Sequence, residues 1–240
     1  MPVLHEKKII PQNCRWHDFK NAEELEHAAV TQILSAAQEA IDARGAFHIV
    51  LAGGTTPKNI YAALRNAKTE WRAWHIYFGD ERCLPKEHAE RNSRMASLAW
   101  LNHVNIPDAQ VHPIPAEEGA TLAAEKYARI VQKIKYFDLV LLGLGEDGHT
   151  ASLFPMHDAG DSPNAPATLI VQDAPKPPPQ RISLSARRLS ETRQLIFLVA
   201  GNSKAQAVKN WRNGISIPAT TVTPEAGVDI YLERSLLPAF

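Results

Sequence analysis

The sequence predicts an α/β fold in which an open, mainly parallel β-sheet carries helices on both faces. Short apolar runs alternate with segments of helical periodicity along the chain, which is the pattern of strand-helix-strand units. Several of these runs end in glycine-rich turns, as buried strands do before a crossover helix. The length of 240 residues fits one large domain, so we expect a single domain over residues 1–240.

The first unit begins with a helix, because apolar residues recur at helical spacing between Asn21 and Arg44. The run from Phe47 to Ala52 is short and apolar, and it predicts a buried strand that ends at a double glycine. Thr56 followed by proline is typical of an N-cap and a first helical residue, so a helix is expected from there to about Ala67.

The later elements continue the alternation. Strands are predicted at Trp74–Phe78, Phe137–Leu142, Thr168–Gln172, Arg181–Leu184 and Leu195–Ala200, and helices at Asn92–Leu101, Ala120–Lys135 and Lys204–Trp211. The run at 137–142 is apolar except for Asp138, as expected for a strand covered on both faces. Ligands of such sheets bind at the carboxyl ends of the strands, so the residues that follow each strand are the candidates for function.

Residues 155–179, which we call the proline-rich segment, contain seven prolines and few apolar side chains. This composition favours an ordered insertion or lid over a linker. A domain boundary there is the alternative. It is disfavoured because the strands that follow are too few to form a second core.

The composition favours a local, small-molecule site. With 26 basic and 26 acidic residues the chain has no net charge, which gives no reason to expect nucleic acid or an anionic membrane as a partner. An anionic substrate must then be held by a few placed cations. The two cysteines, Cys14 and Cys83, lie far apart without metal-ligand spacing, so neither a disulfide framework nor a zinc site is indicated.

The sequence also predicts a cytoplasmic protein. Residues 1–13 are charged and lack the apolar run of a secretory signal. No segment approaches the roughly 18 consecutive apolar residues of a membrane-spanning helix.

The first strand end suits an anion. Gly53, Gly54, Thr55 and Thr56 join a strand to a helix, where backbone N–H groups, hydroxyls and the helix dipole favour negative charge. A double glycine before a helix can also serve only a tight turn. The local sequence leaves both interpretations open.

Charged residues follow or begin three other strands. Asp80 and Arg82 come directly after the strand at 74–78, where a surface ion cluster is the alternative interpretation. Arg181 heads a strand and Lys204 follows one, and each alone is typical of a solvated side chain. Together with the threonine loop, these last two cations would form a phosphate clamp.

The most informative stretch reads GLGEDGHTASLFP from residue 143 to residue 155. Three glycines within six residues permit close approach of the backbone to a ligand, and they bring Asp147 and His149 to the same sheet edge. Histidine is suited to general base catalysis near neutral pH, so we predict that role for His149. A nucleophilic role for Ser152 is disfavoured because no GxSxG elbow surrounds it.

Five motifs in this order resemble one known family, the 6-phosphogluconolactonases, which are similar in their Rossmann-like fold to the glucosamine-6-phosphate deaminases. The motifs span about Phe47 to Trp211, and they are AGGTTP, FGDER with NSRM downstream, GLGEDGHTASLFP, the strand at Arg181, and GNSKA. The glycine-histidine segment is the most specific of them.

The resemblance implies an esterase of the oxidative pentose phosphate pathway that opens 6-phosphoglucono-1,5-lactone to 6-phosphogluconate without a cofactor or metal. It implies that His149 is the general base and that Asp147 is its acidic neighbour. It also implies a phosphate site formed by Arg181, Lys204 and the loop Gly53–Thr56. A sugar site would be lined by Asp80 and Arg82, and Arg82 would bind the substrate without taking part in the chemical step.

Two alternatives stay open. A glucosamine-6-phosphate deaminase would share the phosphate loop and use Asp80 for proton transfer at carbon, but its glycine-histidine segment resembles DGHIAFNEP, with a carboxylate where this chain has SLFP. A non-catalytic sugar-phosphate sensor of the kind attached to helix-turn-helix regulators would bind without turnover, and the sequence shows no basic DNA-binding segment ahead of the sheet. We expect a monomer or weak homodimer that binds a phosphosugar lactone and neither nucleic acid nor membrane.

Overall fold

A computed structural model of the protein describes residues 12–237. Its main sheet is formed by Cys14–Phe19 (β1), Phe47–Leu51 (β2), Trp74–Phe78 (β3), Phe137–Gly143 (β5), Thr192–Val199 (β8) and Val228–Glu233 (β9). The strand order is β1-β9-β8-β5-β2-β3, and every pairing between neighbours is parallel. The predicted α/β fold class with a mainly parallel sheet is confirmed.

The described residues form six α-helices, namely Ala22–Arg44 (α1), Thr55–Leu64 (α2), Asn92–Ala99 (α3), Ala120–Val131 (α4), Ala186–Ser190 (α5) and Ala205–Arg212 (α6). The first helix begins as its sequence predicts, because Asn21 Oδ1 accepts a hydrogen bond from the Glu24 N–H at 2.9 Å. It ends at Gly45, which adopts a left-handed φ of 76°. Helices α1, α2 and α3 contact one another in series beside the sheet.

A second, smaller sheet joins Asp80–Arg82 (β4), Thr168–Val171 (β6) and Arg181–Leu184 (β7) in the order β4-β7-β6, with antiparallel pairings. The strands predicted at 168–172 and 181–184 are therefore not part of the parallel sheet, and this corrects the expectation. The reason is geometric: no crossover helix separates β6 from β7, so they pair as an antiparallel unit. The small sheet adjoins the main one at Gly79, whose carbonyl accepts from the Leu184 N–H at 2.7 Å.

Several predicted boundaries differ from the observed ones. Helix α2 has Gly54 as its N-cap, so Thr56 lies inside the helix and is not the cap. Helices α2 and α4 end earlier than the predicted Ala67 and Lys135, because the chain leaves them through tighter i→i+3 turns, such as Ala67 N–H to Leu64 O at 3.0 Å. The sequence does not predict strands β1 and β9, since their partly exposed, polar-apolar sequences carry a weak signal. It does not predict β4 because that strand has only three residues, all of them charged.

The proline-rich segment contains strand β6, and that strand packs on α4. The Thr168 hydroxyl donates to the Ala124 carbonyl at 3.0 Å, and the Ala174 N–H donates to the Pro179 carbonyl at 3.0 Å. The segment is therefore held to the body of the protein through strand β6, which also pairs with β7, and it is hydrogen-bonded within itself near its end.

No helix within residues 12–237 is long and apolar enough to cross a membrane. The same residues contain no group of three or more His, Cys, Asp or Glu side chains placed to hold a metal ion. The prediction about a secretory signal falls on residues 1–13, of which residues 1–11 lie outside the described part of the chain.

Candidate active site

A cleft opens at the carboxyl ends of four adjacent parallel strands, β8, β5, β2 and β3. The chain runs from β2 to its neighbour β3 and then crosses back to β5 on the other side of β2. Such a reversal of strand order is where open α/β sheets bind their ligands. The predicted site residues that line the cleft are Gly53, Gly54, Asp80, Arg82, His149, Arg181 and Lys204.

Three predicted site residues lie outside this lining. Thr55 and Thr56 occupy the first turn of α2, and Thr55 is exposed. Gly54, the N-cap of that helix, does line the cleft, so the positive end of the α2 dipole borders it. Asp147, the third of them, does not line the cleft but contacts the ring of His149 directly.

The cleft contains a histidine whose orientation is fixed by a carboxylate. His149 Nδ1 lies 2.5 Å from Asp147 Oδ1, and the His149 backbone N–H donates to the same oxygen at 3.1 Å. Because an ionised carboxylate only accepts, the ring proton sits on Nδ1 and leaves the lone pair of Nε2 available. The pair has the arrangement of a general base and its orienting group.

Asp147 is held in its ionised form. Partial burial by itself would raise the pKa of this carboxyl, but hydrogen bonds from the His149 backbone N–H and ring, together with the charge of the ring, lower the pKa below its ordinary value. The carboxylate therefore remains an acceptor for Nδ1 across the neutral range.

The imidazole of His149 lies against the backbone of Gly145. A Cβ atom placed on Gly145 would be 2.0 Å from His149 Nδ1, so any side chain there would displace the ring. The Gly145 N–H donates to the His149 carbonyl at 2.7 Å, which folds the loop onto itself, and the Phe154 ring centroid lies 4.8 Å from the imidazole. The glycine requirement of this loop is thus steric.

Asp80 is buried and fixed at both oxygens. Asn92 Nδ2 donates to Oδ1 at 2.9 Å, and Ser152 Oγ donates to Oδ2 at 2.5 Å. The serine hydroxyl is directed to Asp80 and is buried. Asn92 also lines the cleft and lies close to Gly53. A Cβ atom placed on Gly53 would be 2.1 Å from Asn92 Oδ1.

The neighbouring carboxylate, Glu81, points away from the cleft lining. It is fully buried, accepts from the Asn92 and Ser93 N–H groups at 2.8 and 2.9 Å, and pairs with Arg91 at 3.3 Å. These contacts cap the N-terminus of α3. In the GDER motif, Asp80 and Arg82 therefore face the cleft, whereas Glu81 is structural.

The three predicted cations differ in how they are held. Within residues 12–237 the side chain of Lys204 makes no hydrogen bond or ion pair, and it lines the cleft. Arg181 donates from Nη2 to the Lys176 carbonyl at 2.8 Å and from Nε to the Pro178 carbonyl at 3.2 Å. Burial lowers the pKa of Arg181, which the Asp80 charge partly offsets. Arg82 donates to the Glu90 carbonyl.

Sequence reasoning did not propose three further residues of the cleft as site residues. Asn92 appeared only as part of a family motif, and no local pattern indicated that its amide would meet Asp80. Lys176 and Glu146 line the cleft as an ion pair, with Nζ 2.6 Å from Oε1. The available signal for Lys176 was a single lysine among the prolines before β7.

Comparison with known proteins gives consistent matches. The family model described as glucosamine-6-phosphate isomerases/6-phosphogluconolactonase matches residues 20–231. A 6-phosphogluconolactonase of Synechocystis is 37% identical over 78% of this chain and 80% of its own, and one of Mycobacterium leprae is 35% identical over 84% and 88%. The crystal structure of 6-phosphogluconolactonase from Thermotoga maritima superposes with a TM-score of 0.82 at 25% identity, covering 92% of this chain and 99% of that one. The chain belongs to the glucosamine-6-phosphate isomerase/6-phosphogluconolactonase family.

Proposed function

We propose that the protein is a 6-phosphogluconolactonase, which hydrolyses 6-phospho-D-glucono-1,5-lactone to 6-phospho-D-gluconate in the oxidative pentose phosphate pathway. The observation that carries the proposal is the Asp147–His149 pair in a cleft that also holds Lys204 and Arg181. The substrate needs a base at its lactone carbonyl and cations at its phosphate, and this cleft offers both. The curated relatives that match most of the chain carry the same name.

The chemical step uses water as the nucleophile. His149 Nε2 takes a proton from a water molecule as its oxygen attacks C1, which forms the new C–O bond and turns the carbonyl oxygen into an oxyanion. Asp147 stabilises the imidazolium that forms, since it accepts the hydrogen bond from Nδ1. The N–H groups of the glycine turns supply positive potential for the oxyanion.

Ring opening completes the reaction. The tetrahedral intermediate collapses, the bond between C1 and the ring oxygen breaks, and the imidazolium returns its proton to that oxygen. The product is a carboxylic acid, which ionises in water, so one lactone and one water give the carboxylate and a proton. No cofactor enters this balance.

Binding positions the lactone for attack. Lys204, Arg181 and the N-terminus of α2 hold the phosphate, because all three direct positive charge to the cleft. Asp80 and Arg82 contact the sugar. Since Asn92 and Ser152 fix the Asp80 carboxylate, it can accept from a sugar hydroxyl without first reorganising.

We propose the following setting for the enzyme. Residues 1–240 form one lactonase domain with the proline-rich segment as its insertion. This is supported by a large apolar cluster that extends from Leu25 to Leu236, beside a small one formed by Phe154, Val171 and Ala174. It acts on the free phosphosugar as a monomer or weak homodimer, with neither nucleic acid nor membrane as a partner. A charged phosphosugar does not cross bilayers, so the enzyme works where the lactone forms, which we take to be the cytoplasm.

The test is hydrolysis of freshly prepared 6-phosphogluconolactone by wild type and His149→Ala. Coupling to 6-phosphogluconate dehydrogenase makes NADPH formation report the product above the spontaneous background. We expect acceleration by wild type and a loss on the order of 10² to 10⁴ in the variant, as for removal of a general base. His157→Ala is the matched control, because this histidine is not part of the cleft lining and should retain wild-type rates.

Other outcomes would redirect the proposal. A His149→Ala rate within about threefold of wild type would remove His149 from its role, because loss of a general base costs far more. Ammonia release from glucosamine 6-phosphate, with no acceleration of lactone opening, would indicate the deaminase reaction. Tight phosphosugar binding without turnover of either substrate would indicate a sensor.

A further inference from the structure

The proline-rich segment delivers a lysine to the cleft. Lys176 lines the cleft together with Lys204 and Arg181, although it belongs to the proline-rich segment and not to a strand. Its Nζ forms an ion pair with Glu146 Oε1 at 2.6 Å. Glu146 is part of the same glycine-rich loop as His149, so this pair joins the segment to the catalytic loop.

The carboxylate of Glu146 interacts with two ammonium groups. The hydrogen bond from Lys176 and its charge, with a smaller contribution from Lys204, lower the pKa of Glu146 below its ordinary value. A carboxylate of the chain therefore partly neutralises two of the cations that border the cleft. Those are cations that an anionic substrate group would otherwise contact.

The ion pair is weak enough to exchange. The Lys176 side chain is 61% exposed and that of Glu146 is 51% exposed, and ion pairs between exposed side chains are screened and add little stability. A phosphate carries about two negative charges and three strong acceptor oxygens near neutral pH. It can therefore replace a single carboxylate as the partner of Lys176.

The backbone of Lys176 is held in place while its side chain is free to change partner. Arg181 Nη2 donates to the Lys176 carbonyl at 2.8 Å, and prolines flank the lysine on both sides. Proline restricts φ of its own residue and the conformation of the residue before it. The lysine thus starts from a fixed point beside the cleft.

We propose that Lys176 is a third cation of the phosphate site and that Glu146 is its internal counter-ion, which the substrate phosphate displaces. This inference rests on the proposed function. It adds Lys176 and Glu146 to the substrate site of the proposed lactonase, beside the phosphate clamp of Arg181 and Lys204. Glu146 lowers the affinity for phosphate groups, whereas Lys176 raises it. The pair sets how strongly the enzyme prefers a phosphorylated lactone.

The experiment compares kcat and KM for 6-phosphogluconolactone and for glucono-1,5-lactone, which lacks the phosphate. Lys176→Ala should raise KM for the phosphorylated substrate by about tenfold, as loss of a charge-assisted bond does, and lower kcat less. Glu146→Gln should lower that KM about twofold. Neither change should alter KM for the unphosphorylated lactone. Lys209→Ala, an exposed lysine on α6 outside the cleft lining, is the matched control.

An unchanged KM in Lys176→Ala, an equal rise for both lactones, or a higher KM in Glu146→Gln would overturn the inference while leaving the lactonase function intact. Titration with inorganic phosphate, followed by NMR, separates the two proposals because it needs no turnover. If wild type fails to hydrolyse the lactone, weaker phosphate binding in Lys176→Ala and tighter binding in Glu146→Gln still support the anion site. Equal phosphate affinities in all four proteins would overturn it.

Discussion

The space around the His149 ring is defined by three neighbours. Asp147 fixes Nδ1 at 2.5 Å, Gly145 leaves room for the ring, and Phe154 lies beside it. The basicity of the free Nε2 is useful only if this nitrogen keeps its direction toward the attacking water, and displacement by about 1 Å can cost about 10²-fold in rate. Position therefore matters here as much as chemical type.

Gly145→Ala should reduce kcat by on the order of 10², because the new Cβ would be only 2.0 Å from His149 Nδ1 and the ring must turn away. KM should change less, since Lys204 and Arg181 are untouched. The coupled lactonase assay measures both constants, and circular dichroism with thermal unfolding shows whether the fold is retained. A folded variant with a kcat within threefold of wild type would contradict the steric account.

At the scale of elements, the proline-rich segment is closed by a histidine near its start and an aspartate near its end. His157 Nε2 lies 2.9 Å from Asp173 Oδ1, and Nδ1 lies 3.0 Å from the Pro155 carbonyl. Both ring nitrogens thus face acceptors. Only the imidazolium form of the ring has two N–H groups, so only this form can donate to both. The hydrogen bond with Asp173 and that with Pro155 raise the pKa of His157 above its ordinary value of 6.5.

Asp173→Asn should lower the pKa of His157, because the charged acceptor becomes neutral. A group with a raised folded-state pKa stabilises the protein fully below its unfolded value of 6.5, and this contribution disappears as pH rises through the folded-state value. The pair is solvent-exposed, so the stability difference should stay below about 1 kcal/mol. NMR titration of the His157 ring and urea unfolding at pH 5.5 and 8.5 measure the two effects. The same pKa in both proteins would show that Asp173 does not interact with the ring in solution.

Across the whole molecule, a buried charge network joins strand β4 of the small sheet to helix α3 and to the segment that precedes α4. Glu81 of β4 accepts from the first N–H groups of α3 and pairs with Arg91. Arg91 also pairs with Glu117 at 2.5 Å and donates to the Ile114 carbonyl at 2.7 Å. Because Asp80 is the adjacent residue in β4, this network also sets where the cleft carboxylate stands.

Glu81→Gln should destabilise the protein by on the order of 3 kcal/mol, because it removes one charge of a buried pair and replaces an acceptor oxygen with a donor. Glu125→Gln on α4 is the matched control, since its pair with Arg129 is exposed and 3.9 Å long, and it should change stability by less than about 0.5 kcal/mol. Urea unfolding of the three proteins gives the free energies. Equal losses in both variants would contradict the special role of the buried network.

Much of the candidate site could be predicted because its signals are local. The strands that end at Leu51, Phe78 and Gly143 are largely apolar runs with a glycine at their end or within the next two positions. Each carries its functional residues within a few positions of its end. Parallel strands place such ends at one edge whatever the detailed packing. Family membership and the enzyme class follow from the same motifs.

The sequence by itself determined the α/β class and the residues at the strand ends, since hydrophobic periodicity and glycine turns act over a few residues. Only the tertiary structure decided the contacts between distant segments. Ser152 reaches Asp80 across 72 positions, Lys176 reaches Glu146 across 30, and β7 pairs antiparallel with β4 outside the main sheet. Such pairings depend on how elements dock in three dimensions, for which a single sequence carries no local pattern.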